Sequence, residues 1–89
     1  MSFEYDKTKS QSNLGKHGID FVVAQQLWQD ERRVELDSSY PGEDRHLVIG
    51  QVGGVLYTAI TTLRGDSVRI ISVRRARVME RRIYEADHS

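Results

Sequence analysis

The chain has 89 residues, enough for one domain over residues 1–89 with a thin hydrophobic core. It contains no cysteine, which excludes disulfide bonds, a thiolate nucleophile and a cysteine-based zinc site. No apolar run is long enough to span a membrane, and the first residues lack a signal peptide's hydrophobic region, so we expect a cytoplasmic protein with no membrane partner.

The formal net charge of zero hides two halves of opposite sign. Residues 1–44 have a net charge of −4, and residues 45–89 have a net charge of +4. Seven of the ten arginines lie between residues 64 and 82. Such a basic half favours binding to an anion, phosphate above all. The same charges also fit a solvated helix face, in which Arg81 pairs with Glu85 and Arg77 with Glu80.

Two helices are predicted in the first third of the chain, after a short edge strand at Phe3-Glu4-Tyr5. Asp6 is a candidate N-cap for the first helix, and His17-Gly18 ends it because glycine adopts the left-handed C′ conformation easily. Asp20 is the candidate N-cap of the second helix. Its apolar stripe predicts a core face and consists of Phe21, Ala24, Leu27 and Trp28.

The rest of the chain favours strands and a final helix. A strand is predicted near residues 32–37, then a loop at 38–42, then three strands at about 45–52, 55–63 and 68–73. Ala76, Met79 and Ile83 recur with helical spacing after residue 74. The predicted fold class is therefore α+β: a small antiparallel sheet with two N-terminal helices and a C-terminal helix.

The turns between the last three strands also predict their register. Gly53-Gly54 is a strong signal for a two-residue hairpin turn. It pairs Val52 with Val55, Val48 with Ala59, His46 with Thr61, and Arg45 with Thr62. A turn at residues 64–67 pairs Leu63 with Val68, Thr62 with Arg69, Thr61 with Ile70, Ala59 with Ser72, and Tyr57 with Arg74.

Side-chain alternation then divides the sheet into two faces. One face holds Leu47, Ile49, Ile60, Ile71 and Val73, and ends in a row of Arg45, Thr62 and Arg69. We expect this to be the core face, covered by the two N-terminal helices. The other face holds His46, Tyr57, Thr61, Ser72 and Arg74, and we expect it to be open.

Several short motifs occur together in a recognisable order and spacing. They are Phe3-Glu4-Tyr5-Asp6, Asn13 with Lys16-His17-Gly18, Gly42-Glu43-Asp44-Arg45, Ile49-Gly50, Arg69-Ile70-Ile71-Ser72, and Glu80-Arg81 with Tyr84-Glu85. In this combination the chain resembles BrnT-type toxins, the toxin half of a bacterial type II toxin–antitoxin pair, over residues 3–86.

The resemblance implies a fold similar to that of RelE-type ribonucleases and an RNA cleavage that halts translation. It also implies a tight complex with a BrnA-type antitoxin that carries a ribbon-helix-helix DNA-binding part. Operator DNA would then be contacted only through the antitoxin. The chain departs from the family pattern at Lys7, where proline is usual, at Val73, where alanine is usual, and at Thr61, where tyrosine is usual.

RNA cleavage without metal needs a base for the 2′-hydroxyl proton, an acid for the leaving 5′-oxygen and cations for the charge on phosphorus. The candidate catalytic residues are His17, Arg64, Arg69 and Arg74, and the candidate RNA-binding cations are Lys9, Lys16, Arg45 and Arg75. We expect no metal or other cofactor, since no His-x-x-x-His or paired-carboxylate motif is present.

Two of the candidate catalytic residues also have a structural interpretation. His17 is equally placed to serve as a helix C-cap, where a cation meets the negative end of the helix dipole. Arg69 fits a strand-end arginine paired with a carboxylate such as Glu80. Two other functions stay open: a partner that has lost catalysis and acts as co-repressor, suggested by Thr61, and a plain nucleic-acid-binding domain.

Overall fold

The computed structural model describes residues 1–40 and 43–86. Nine segments follow one another along the chain, one of them a 3-10 helix. They are β1 (Ser2–Glu4), α1 (Lys7–His17), α2 (Phe21–Ala24), the 3-10 helix (Gln25–Gln29), β2 (Val34–Tyr40), β3 (Glu43–Val52), β4 (Val55–Arg64), β5 (Ser67–Arg75) and α3 (Val78–Ala86). The α+β class is confirmed. Within the described ranges, no helix has the length and apolar character needed to cross a bilayer.

The five strands form a single sheet in the order β1-β5-β4-β3-β2. Strands β2 to β5 are antiparallel neighbours, whereas β1 runs parallel to β5, so the sheet is mixed and larger than the small antiparallel sheet predicted. The loop predicted at 38–42 is wrong for residues 38–40, which belong to β2, and residues 41–42 lie outside the described residues.

The hairpin between β3 and β4 confirms the predicted register. Val52 pairs with Val55, and the pairing continues to Arg45 opposite Thr62. Gly53 and Gly54 both have positive φ, at 59° and 79°, as a two-residue turn of this hand requires. The turn between β4 and β5 pairs Leu63 with Val68, again as predicted.

A β-bulge at Ile71 shifts the second half of β5 by one residue. Thr61 pairs with Ile70 as predicted, but Ile60 then pairs with Ser72, which leaves Ile71 as the extra residue. Ala59 therefore pairs with Val73 and Tyr57 with Arg75, so the predicted pairs Ala59–Ser72 and Tyr57–Arg74 are wrong. The bulge turns both Ile70 and Val73 into the core, although they are three residues apart.

The two N-terminal helices cover the face of the sheet that was expected to be open. The core on that side consists of Ile19, Phe21, Ala24 and Leu27 packed on Val48, Ala59, Ile70 and Val73. Thr61 lies on the same face and is 2% exposed. The face with Leu47, Ile49 and Ile60 lies on the other side, next to α3. Alternation could not separate the faces, because helices lie on both and both are apolar.

Helix α1 lies along the edge of β5 that β1 leaves uncovered. Asp6 caps its first turn through the backbone N–H groups of Thr8 and Lys9, and Gly18 ends it with φ of 74°. Midway, the Asn13 amide nitrogen donates to the carbonyl of Val73 at 2.9 Å, and its oxygen accepts from the N–H of Val73 at 3.2 Å. One side chain thus takes the place of a neighbouring strand.

Helix α3 is attached to the opposite face by a buried ion pair. Glu80, whose side chain is 11% exposed, accepts two hydrogen bonds from Arg74, at 2.7 and 2.9 Å. It also accepts from the Thr58 hydroxyl at 2.9 Å and from the backbone N–H of Arg77 at 2.7 Å. The Arg74 guanidinium, with these two further donors, lowers the pKa of Glu80 from 4.5 to about 2 against the opposing effect of burial.

Asn13→Ala should lower the free energy of unfolding by about 3 kcal/mol, because it leaves the buried N–H and carbonyl of Val73 without partners. The Asn13 amide also donates to the Ile19 carbonyl at 2.7 Å, so the connection between α1 and α2 weakens with it. Urea unfolding measures the change. Gln11→Ala, at an exposed position of the same helix, is the control and should stay within ~0.5 kcal/mol. A loss below ~1 kcal/mol for Asn13→Ala would contradict this account.

Glu80→Gln should destabilise the protein at neutral pH and make its stability less sensitive to acid. A carboxyl group whose pKa is about 2 in the fold and 4.5 in the unfolded chain contributes ~3 kcal/mol above pH 4.5. Because its pKa is lowered by folding, that contribution is lost as the pH falls from about 4.5 to about 2. Urea unfolding across this pH range should therefore show the wild type and the variant converging in acid.

Glu85→Gln is the matched control, since Glu85 lies on the exposed side of the same helix. It should follow the wild-type curve at each pH. A constant difference between Glu80→Gln and wild type from pH 7 to 2 would show that the ion pair does not set the acid sensitivity.

Candidate active site

Four side chains form a row across four adjacent strands at one end of the sheet. Arg45 on β3 pairs with Thr62 on β4, Thr62 pairs with Arg69 on β5, and Arg69 pairs with Glu4 on β1. Residues at the same level of neighbouring strands project from the same face. The predicted row of Arg45, Thr62 and Arg69 is thus present, and Glu4 extends it to the edge strand.

A cavity of about 500 Å³ opens over this row. Its lining is mostly polar and comprises Lys9, Asp44, Arg45, Thr62, Leu63, Arg64, Arg69 and Ile71. Lys9 comes from the first turns of α1, and Arg64 is the last residue of β4. The structure therefore brings together Lys9, Arg45, Arg64 and Arg69 from the set proposed on sequence grounds.

Glu4 lies between the two arginines at the strand ends. Its Oε1 atom is 3.6 Å from Nη1 of Arg69 and 3.9 Å from Nε of Arg64. Arg69 pairs with this residue and not with Glu80, as its structural interpretation had suggested. Sequence reasoning missed Glu4 because a parallel pairing between residues 4 and 69 leaves no local signal. Its place in the Phe3-Glu4-Tyr5-Asp6 motif was the one available indication.

A second, smaller cavity of about 180 Å³ adjoins the first. It lies between α1 and β5 and shares Lys9 and Ile71 with its neighbour. Its lining includes Lys16 and His17, both exposed and near the end of α1. His17 precedes the Gly18 cap, so its imidazole lies at the negative end of the helix dipole. The two cavities together place a histidine and two lysines alongside the arginine row.

Arg74 and Arg75 lie away from Arg64 and Arg69. Arg74 lines a neighbouring groove on the same face, about 350 Å³ in volume, which shares Arg45 with the main cavity. Its guanidinium is bound to Glu80, and this hydrogen bond raises the pKa of Arg74 despite partial burial. Arg75 lines a separate cavity with Arg81 and Glu85 near the β3–β4 hairpin.

The remaining polar candidates have structural partners. His46 contacts Asp37 through Nδ1 at 2.8 Å, and the Thr61 hydroxyl donates to the His46 carbonyl at 3.3 Å on the helix-covered face. The Tyr84 hydroxyl donates to Asp30 at 2.8 Å, and its burial, followed by this hydrogen bond, raises its pKa. Thr61 is buried on the face opposite the arginine row.

The geometry of the main cavity suits a phosphodiester. Arg64 and Arg69 project from strand ends whose backbone is held by pairing, and their guanidinium groups can bind a phosphate through paired N–H donors. The Thr62 hydroxyl lies between Arg45 and Arg69, although it donates to the Asp44 carbonyl at 2.9 Å. Within the described part of the chain, no three histidine, aspartate or glutamate side chains are grouped as a metal site would need.

Comparison with known families agrees with the motifs. The family model described as ribonuclease toxin, BrnT, of type II toxin-antitoxin system matches residues 5–80. No curated protein matches the chain. The family match covers both helices beside β5, the arginine row from Arg45 to Arg69, and Glu80. Since it spans most of the sequence, the chain belongs to the BrnT family of ribonuclease toxins of type II toxin–antitoxin systems.

Proposed function

We propose that the cavity over Arg45, Thr62 and Arg69 binds RNA and cleaves its backbone without a metal ion, and that this cleavage inhibits translation. Membership of a ribonuclease toxin family supplies the reaction class. One observation supports this location of the active site: a single cavity is lined by four cationic residues, Lys9, Arg45, Arg64 and Arg69. Four cations at fixed positions supply the charge stabilisation that a phosphoryl-transfer site requires.

The reaction begins when a base takes the proton of a ribose 2′-hydroxyl. The oxygen attacks the adjacent phosphorus, a pentacoordinate phosphorane with additional negative charge forms, and the bond to the 5′-oxygen breaks as that oxygen receives a proton. Arg64 and Arg69 stabilise the charge that develops on phosphorus, because both project from paired strand ends and both lie within 4 Å of Glu4. His17 takes part in proton transfer, since histidine changes charge near neutral pH.

The other cations bind the RNA backbone. Lys9, Lys16 and Arg45 line the main cavity or its neighbour and contact phosphates on either side of the scissile bond. Arg74 has a different role in this proposal from the catalytic one suggested by its sequence position: bound to Glu80, it holds α3 to the sheet. Arg75 lies at the far end of β5 and contacts RNA only at the periphery. The similarity to the RelE-type fold stays a prediction.

The purified protein should cleave a long transcript of mixed sequence in excess EDTA. The arginine and lysine side chains supply positive charge that chelation cannot remove. The products should carry 2′,3′-cyclic phosphate and 5′-hydroxyl ends, which gel mobility and end-labelling distinguish. Cleavage that stops in EDTA and returns with one divalent ion would contradict the metal-free mechanism. A translation reaction containing ribosomes is the second substrate, and failure to cut RNA in either contradicts the proposed function.

Alanine variants measured in the same cleavage assay identify the residues that stabilise the transition state. Arg69→Ala and Arg64→Ala should each reduce the single-turnover rate by about 10²–10³, the usual effect of losing one ordered donor to a transition state. RNA affinity should change much less. Arg81→Ala is the matched control, because Arg81 is an exposed arginine on α3 that lies with Arg75 near the other end of β5. Equal effects of Arg69→Ala and Arg81→Ala would place the reaction elsewhere.

A type II toxin implies a cognate antitoxin as well as an RNA substrate. We propose that this antitoxin is of the BrnA type, with a ribbon-helix-helix part, and that an acidic amphipathic segment of it covers α3. Val78, Met79 and Ile83 are exposed on that helix, with Met79 64% exposed. Arg77, Arg81 and Arg82 are exposed beside them, so apolar and cationic groups share one surface. Such a surface is complementary to an acidic helix.

Met79→Glu should weaken the complex with the small protein encoded beside this chain and restore toxicity during co-expression. The substitution places a negative charge within the apolar part of the proposed interface. Growth and affinity co-purification measure the effect. Leu14→Glu is the control, since Leu14 is exposed to a similar degree on α1. A complex that survives Met79→Glu but is lost with Leu14→Glu would move the interface to the first helix.

A further inference from the structure

We propose that Glu4 is the general base of the cleavage reaction, taking the proton from the 2′-hydroxyl of the RNA. This inference rests on the proposed function and adds to it the assignment of proton transfer. It is drawn from the position of one carboxylate at the end of the arginine row, between Arg64 and Arg69.

The carboxylate of Glu4 lies close to two cations but accepts no hydrogen bond from them. Oε1 is 3.6 Å from Arg69 and 3.9 Å from Arg64, both longer than a hydrogen bond, so it is attracted by charge and does not accept their N–H groups. Within residues 1–40 and 43–86, neither carboxylate oxygen of Glu4 accepts a hydrogen bond, so both have lone pairs available for a proton. The side chain is 40% exposed, so a ribose hydroxyl can reach it.

The backbone around Glu4 is held on both sides. It is the last residue of β1, which pairs with β5 through Phe3 and Val68 as well as through Glu4 and Arg69. Phe3 packs edge-on against Trp28, with ring centroids 4.8 Å apart. Two residues later Asp6 caps α1. A base must lie within hydrogen-bond reach of the proton that it takes, and this anchoring keeps the carboxylate beside the arginines.

The other charged groups at this site come from every element that lines the cavity. They are Arg69 on β5, Arg64 on β4, Lys9 on α1, and Arg45 and Asp44 on β3. The arginines are always protonated and cannot accept a proton. Asp44 lines the cavity but has no ion pair with Arg64 or Arg69 among the described contacts. Glu4 is the carboxylate that the two proposed transition-state cations orient.

The assignment completes the proton balance. Glu4 takes the 2′-hydroxyl proton as the 2′-oxygen forms its bond to phosphorus. The bond between phosphorus and the 5′-oxygen then breaks, and that oxygen takes a proton from the protonated imidazole of His17, which lines the adjoining cavity. The products are a 2′,3′-cyclic phosphate and a 5′-hydroxyl. Glu4 returns its proton to water and His17 regains one from water, so the enzyme is regenerated.

Glu4→Gln tests this role because it keeps the shape of the side chain and removes its basicity. The single-turnover rate on the mixed-sequence transcript should fall by about 10²- to 10⁴-fold, the usual contribution of general base catalysis. The rise of the rate with pH on the acidic side of the wild-type profile should disappear. Binding of a 2′-O-methyl RNA, which cannot react, should stay equal or tighten, because one negative charge has been removed beside Arg64 and Arg69.

Asp66→Asn is the matched control, since it removes one exposed carboxylate from the β4–β5 turn beside Arg64, outside the lining of the cavity. It should keep the wild-type rate within about threefold and retain the acidic limb. Circular dichroism and urea unfolding establish that both variants are folded. Glu4→Asp, which keeps a base on a shorter arm, should recover part of the rate and the acidic limb.

The results for the wild type and the variants distinguish a failure of the role of Glu4 from a failure of the proposed function. A wild-type protein that cuts no RNA overturns both. An active wild type together with an active Glu4→Gln variant overturns the role of Glu4 alone. A slow Glu4→Gln variant that keeps the acidic limb also overturns it, because the residue then only positions Arg64 and Arg69. A further variant, Asp44→Asn, tests the carboxylate that lines the cavity. If it loses the rate and the acidic limb while Glu4→Gln keeps both, the base is Asp44 and the role of Glu4 is overturned.

Discussion

The uncovered edge of β5 is the constraint on which the rest of this small fold depends. Strand β1 is three residues long and pairs only with the first part of β5, from Ser67 to Arg69. The backbone beyond needs another partner, because unpaired N–H and carbonyl groups at a buried edge are costly. Asn13 supplies it by bonding to both polar groups of Val73. Helix α1 must therefore pack against this edge with Asn13 facing Val73.

That placement of α1 builds the site. A helix packed along a strand edge presents one of its sides to the sheet face that carries the arginine row. Lys9 and His17 of α1 consequently line cavities whose opposite wall is β5. The same interaction that completes the edge of the sheet thus brings cationic and titratable side chains next to the arginine row. The contact between Asn13 and Val73 therefore stabilises the fold and also positions α1 beside the proposed site.

The sequence predicts those parts of this arrangement that depend on residues close together in the chain, and not those that depend on distant residues. Local rules are sufficient for the cap at Asp6, the end at Gly18 and the hairpin at Gly53-Gly54, because the cause lies within a few residues. The β-bulge at Ile71 has no such signal, and it changes the pairing of every later residue in β5. The parallel pairing of β1 is also invisible locally, and with it the position of Glu4.

The bulge also decides how Arg74 must be understood. Without it, Arg69 and Arg74 would project from opposite faces; with it, both lie on the face that carries α3, where Arg74 meets Glu80. Removing one partner of a buried pair costs ~3–5 kcal/mol, a large part of the ~5–15 kcal/mol that stabilises a typical domain. An Arg74→Ala variant would therefore lose activity by releasing α3 and loosening the sheet. Such a loss would resemble a catalytic defect, and only a parallel measurement of stability distinguishes the two. Any arginine of this protein that forms a buried ion pair in the absence of RNA requires the same parallel measurement of stability.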